Sequence, residues 1–128
     1  MSSKNKKTPY LTKRALSFKY AFKGIFTAIK TQANLRIHLF AAILVTAMGF
    51  YFQISRAEWI LVILAIGVVI SAELFNSAIE FLTDLVSPGQ NETAGKVKDI
   101  AAGAVLISAI SAAIIGLIIF LPKIKDLF

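Results

Sequence analysis

Residues 59–84 read WILVILAIGVVISAELFNSAIEFLTD, and the fold turns on how this stretch is taken. From Trp59 to Ile70 it holds no charge, whereas its second half carries Glu73, Asn76, Glu80 and Asp84. Those four stand at i, i+3, i+7 and i+11, which puts them on one face of a helix. The segment therefore reads as a long apolar helix with a polar seam along its final turns. A hydrocarbon core of about 30 Å takes roughly 20 helical residues, so a run of this length and apolarity is a membrane span.

Two further stretches fit the same reading. Leu39–Ile54 (LFAAILVTAMGFYFQI) is short, but Leu35 and Ile37 extend it backwards; Ile100–Leu121 (IAAGAVLISAISAAIIGLIIFL) has no charge at all. Spans are expected at about 35–54, 59–83 and 99–121. The first starts too far from the N-terminus, and is followed by too many others, to be a cleaved signal peptide. Composition agrees: 57% of residues are hydrophobic and 16% charged, against roughly 45–50% and about 25% in soluble domains. The absence of cysteine excludes disulfide, thiol and cysteine-metal chemistry, and the lone His38 argues against a histidine zinc site.

The net charge of +7 could suggest nucleic acid, but its distribution points elsewhere. Nine of the fourteen basic residues, from Lys4 to Arg36, precede the first span. A basic region beside membrane spans faces anionic lipid headgroups, and no nucleic-acid partner is expected. The first loop holds only Arg56, the second Lys96 and Lys98. The positive-inside bias puts the N-terminus and second loop of a multi-pass membrane protein in the cytoplasm. Lys123 and Lys125 in the tail count against this, but are outnumbered.

Residues 1–9 are basic and expected to be disordered. Residues 10–34 (YLTKRALSFKYAFKGIFTAIKTQAN) mix aromatics and lysines at helical spacing, as in an amphipathic helix lying on the membrane surface. In the third span Ala104, Ser108, Ala112 and Gly116 form a stripe of small residues that lets helices approach closely in lipid. The expected fold is a single all-α integral membrane domain, a surface helix plus three spans, thin enough that self-association is expected.

Depth gives the polar seam its meaning. With Trp59 at the outer interface, Glu73 lies about 21 Å further in along the helix. It is then within the hydrocarbon on the cytoplasmic side, with Glu80 near the headgroups and Asp84 in the cytoplasm. The start of the third span, with Lys96, Lys98 and Asp99, returns to the same surface. Carboxylates hold magnesium, and a lysine with helix N-terminal amides holds phosphate, which is the inventory of phosphoryl transfer. Two plainer readings stand beside it: Glu73, Asn76 and Glu80 as a packing seam in a catalytically impaired or non-enzymatic oligomer, and Asp99 as a helix N-terminal acid suiting the dipole. The segment GQNETAGK, Gly89–Lys96, resembles a P-loop but has five residues between its glycines, Val97 after its lysine and no preceding strand; Pro88-Gly89 is a turn.

ELFNSAIE (Glu73–Glu80) with Asp84 beyond it, then KDIAAGAVL (Lys98–Leu106), resembles the small prokaryotic diacylglycerol kinase family. FKYAFKGI (Phe18–Ile25), NLRIH (Asn34–His38) and EWILVIL (Glu58–Leu64) extend the likeness over nearly the whole chain beyond about residue 10. The ending GLIIFLPKI (Gly116–Ile124) looks like the Gram-positive branch, which phosphorylates undecaprenol. The resemblance implies a homotrimer with active sites at the cytoplasmic interface, shared between protomers, using ATP and magnesium on a membrane lipid alcohol. It implies Glu73 as general base, Glu80 as magnesium ligand, Asn76 as an organiser of the site, Lys98 and Asp99 as nucleotide contacts and Tyr20 as an aromatic near the nucleotide. Where the family has a second metal-binding glutamate, this chain has Gln32, which offers a metal or nucleotide a carbonyl oxygen without charge and leaves metal number and affinity open.

Overall fold

The computed structural model describes residues 9–128; apart from Pro9, the N-terminal stretch expected to be disordered lies outside the described residues. The described chain is helical throughout: α1 (Tyr10–Thr31), α2 (Ala33–Tyr51), α3 (Arg56–Val86) and α4 (Glu92–Lys125). The last three are each long and apolar enough to cross a membrane. At 1.5 Å per residue α2 is about 28 Å long, α3 about 46 Å and α4 about 51 Å. The long helices α3 and α4 therefore run past the apolar stretches at both ends.

Large apolar side chains cover the outside of the bundle: Ile63, Leu64, Ile107 and Ile118 are each at least 60% exposed. In water so much exposed apolar surface would drive association, whereas hydrocarbon solvates it. The buried core is correspondingly small. Ile54, Val62, Ile119 and Phe120 form it, at the end carrying the α2–α3 turn.

Gln32 separates α1 from α2. Its backbone is extended (φ −115°, ψ 107°), which breaks the helix, while its N–H still donates to Ala28 O at 2.8 Å. The final carbonyls of a helix have no partner inside it. Here the Arg36 guanidinium reaches back from α2, and Nη1 donates to Ile29 O at 2.8 Å and Lys30 O at 3.0 Å. One side chain thus ties the surface helix to the first span.

At the opposite end Gln53 takes the left-handed conformation (φ 50°), and Ser55 and Glu58 close a capping box that starts α3. Lys123 of α4 donates to Glu58 Oε2 at 2.8 Å and to Ile119 O at 3.2 Å. One of the two tail lysines that count against the expected orientation is therefore paired across the bundle. Gly49 sits under the Trp59 ring: a Cβ there would lie 2.7 Å from Cη2 and 2.9 Å from Cζ2. Trp59 also packs on Phe50, with ring centroids 4.9 Å apart. Gly49→Ala must displace the indole and is expected to cost about 1–3 kcal/mol, seen as a lowered unfolding temperature in detergent. Gly67→Ala, which meets nothing within 4 Å, serves as the control and should be neutral or slightly stabilising.

Candidate active site

The site is built on the last four turns of α3. Glu73 is 2% exposed and Asn76 7%; Glu80 is half-buried and Asp84 exposed. Exposure rises along the face from Glu73 to Asp84. Two hydroxyls beside the seam are occupied by their own helix, Ser77 donating to Glu73 O at 2.8 Å and Thr83 to Ile79 O at 2.6 Å. They satisfy main-chain carbonyls and leave the carboxylates to other partners.

Those partners come from three places. His38 of α2 brings Nε2 to 3.2 Å from Glu73 Oε1. Asn76 Nδ2 donates to Glu80 Oε1 at 3.3 Å, one turn along the same helix. Lys98 of α4 donates to Asp84 Oδ1 at 2.6 Å, closing the α3–α4 loop. Lys98 precedes the apolar stretch of α4.

The remaining candidates sit apart from this cluster in different ways. Gln32 is at the α1–α2 corner, half-buried. Tyr20 lies on the exposed surface of α1, at 63% exposure. Asp99 is exposed two turns into α4, next to the Lys98–Asp84 bridge, so it is not the helix N-terminal acid that the sequence allowed; Glu92 holds that place. Asn91 caps that helix, accepting from Ala94 N–H at 3.1 Å, with Glu92 in the first turn. The P-loop-like stretch is therefore a turn and a helix cap. His38 is the residue that sequence reasoning left out. Its place in NLRIH (Asn34–His38) is the available signal, since that motif is part of the family likeness.

Among the described residues no three histidine, aspartate or glutamate side chains come together as a metal cage. A magnesium ion does not need one, since it keeps several waters and takes one or two carboxylates plus substrate phosphates. Asn76 Oδ1 is buried with no hydrogen-bond partner, and the same side chain touches the Glu80 carboxylate. An orphaned amide oxygen beside a half-buried carboxylate is a hard-oxygen donor pair, and such a pair fits magnesium.

Two grooves flank α3. One, of about 510 Å³, lies between α2, α3 and α4; Ala112 and Gly116 border it, and His38 is the polar residue on its otherwise apolar wall. The other, of about 650 Å³, lies between α3 and α4 and is bordered by Asn76, Ala104 and Ser108. The small-residue stripe of α4 is thus divided between the two.

Comparison with known proteins matches the sequence to one family. The family model described as prokaryotic diacylglycerol kinase matches residues 19–120. An undecaprenol kinase of Bacillus subtilis is 43% identical over 108 residues, covering 84% of this chain and 88% of the relative. A diacylglycerol kinase of Synechocystis is 37% identical over 113 residues, covering 88% of this chain and 65% of the relative. One from Escherichia coli K12 is 30% identical over 95 residues, covering 74% and 78%. From a matched region that runs from α1 almost to the end of α4, and from this level of identity, the chain belongs to the prokaryotic diacylglycerol kinase family.

Proposed function

We propose that the protein is a lipid kinase that transfers the γ-phosphate of ATP to a membrane lipid alcohol, undecaprenol first and diacylglycerol as the variant. The observation that carries this reading is the graded face of α3, from a nearly sealed Glu73 to an exposed Asp84 bridged to Lys98. Membership of a family of lipid kinases, and the likeness to an undecaprenol kinase over most of the chain, support it. The nine basic residues ahead of the first span support a cytoplasmic N-terminus, which puts the open end of the face where ATP is.

In this reading the lipid hydroxyl arrives from the hydrocarbon side, at the depth of Glu73. The carboxylate takes the hydroxyl proton as the alcohol oxygen bonds to the γ-phosphorus. The bond from that phosphorus to the β–γ bridging oxygen breaks, and its electron pair leaves with ADP. Glu80 and Asn76 would hold magnesium, which when bound neutralises charge on the β- and γ-phosphates. Lys98, held at the mouth by Asp84, is positioned for the nucleotide phosphates, with Asp99 and Tyr20 as further nucleotide contacts. As the family resemblance implies, the reading takes the working unit to be a homotrimer with sites shared between neighbours.

The test is direct. Purified protein in lipid is given Mg-ATP with undecaprenol or diacylglycerol, and labelled phosphate is followed into the lipid. Transfer to undecaprenol is expected, and no transfer to either alcohol by folded, oligomeric protein overturns the reading. Gln32→Glu should lower the KM for Mg-ATP by about fivefold if the α1–α2 corner faces the metal, the effect of roughly 1 kcal/mol from one exposed charge. An unchanged KM would exclude the corner from the metal site.

A further inference from the structure

We propose that His38 is a positioning residue for Glu73: its imidazole pins one carboxylate oxygen and so aims the other at the lipid hydroxyl. The inference rests on the kinase reading above and deepens it.

A carboxylate that is 2% exposed cannot stay charged without a compensating partner. The neighbouring polar groups on α3 are committed elsewhere. Ser77 Oγ donates to the main-chain oxygen of Glu73, and Asn76 Nδ2 donates to Glu80. Lys98, the cation on the facing part of α4, is held by Asp84. Among the described residues the group at ion-pair distance from the Glu73 carboxylate is His38, with Nε2 3.2 Å from Oε1. A contact through Oε1 leaves Oε2 to accept a proton. His38 also supplies the polar spot on the wall of the α2–α3–α4 groove, so the imidazole that holds the carboxylate can be approached along an apolar groove.

His38 lies two residues after Arg36, whose guanidinium is anchored on the end of α1, so the imidazole sits close to the joint between α1 and α2. During transfer the alcohol proton moves to Glu73 Oε2, while the Nε2 proton stays on His38, so His38 undergoes no net change. Its contribution is to orientation, which is how outer partners of catalytic and metal-binding groups act.

His38→Leu and His38→Gln, each in the full chain and reconstituted with undecaprenol and Mg-ATP, test this. Leucine fills the space without a donor, whereas the glutamine amide can still donate to the carboxylate. His38→Leu should lower kcat by about 10–100-fold with the KM for Mg-ATP unchanged and the oligomer intact, and His38→Gln should recover most of that loss. Equal losses in both variants, or loss of assembly in both, would make the role one of packing and overturn the inference. Transfer by the unchanged protein at a rate neither substitution alters overturns this inference alone. No transfer by the unchanged protein overturns the kinase reading, and the inference with it.

Discussion

Glu73→Gln is expected to reduce kcat by about 10²–10⁴-fold, the range associated with losing a general base, with the assembly preserved. Glutamine has the shape of glutamate and cannot take the hydroxyl proton. The site is nearly sealed, so water offers no ready substitute. Removing the charge lifts a desolvation cost and also ends an ion-pair contact with His38 Nε2, but the glutamine amide oxygen can still accept there, so the assembly should survive. The rival reading, in which the seam exists to pack helices, expects weakened assembly as the main effect. Turnover measured beside elution volume separates the two: an intact oligomer with wild-type turnover excludes the base, and a broken oligomer favours the packing seam.

The second large effect is expected at Glu80. Glu80→Gln should raise the magnesium concentration needed for half-maximal rate and lower kcat by about 10²–10³-fold, as when one preorganised electrostatic group is lost. Asn76 now donates to this carboxylate, and can donate equally to an amide oxygen, so the local hydrogen bonding survives. What disappears is the negative charge beside the orphaned Asn76 oxygen. A magnesium titration at fixed ATP distinguishes this from the Glu73 change, whose magnesium dependence should stay where it was. An unaltered magnesium dependence in Glu80→Gln would remove this carboxylate from the metal site.

The spans were legible because apolarity is a bulk property, visible in any long window of the chain. The α3 face was legible because helical periodicity alone puts Glu73, Asn76 and Glu80 together. Contacts between helices were not. Which residue of α2 meets Glu73 depends on how far α2 is slid along α3, and no spacing within either helix encodes that. His38 was therefore visible as a histidine but not as a partner. The same holds for Lys123, which sequence counting treats as a free charge and which is paired with Glu58, 65 positions away. Asp84 and Lys98 were expected at one surface, but their bond, which occupies the lysine otherwise assigned to phosphate, depends on the particular path of residues 87–91. Helix ends were also blurred. Ser55 and Asn91 begin α3 and α4 several residues before the apolar runs do, through caps that hydropathy does not register.

Arg36 changes what a charge in this chain can mean. By arithmetic it is one of nine interchangeable positive charges drawing the N-terminus toward the cytoplasm. Its guanidinium, however, is bound to two carbonyl oxygens at the end of α1 and acts as a hinge pin. A lysine would keep the topological vote, yet its strongly hydrated ammonium on a flexible stem would hold the two carbonyls, both of which now accept from Nη1, less firmly than a guanidinium does. Orientation and joint stiffness are thus separable properties of a single position. A chain can cross the membrane in the right direction and still have its surface helix badly hung.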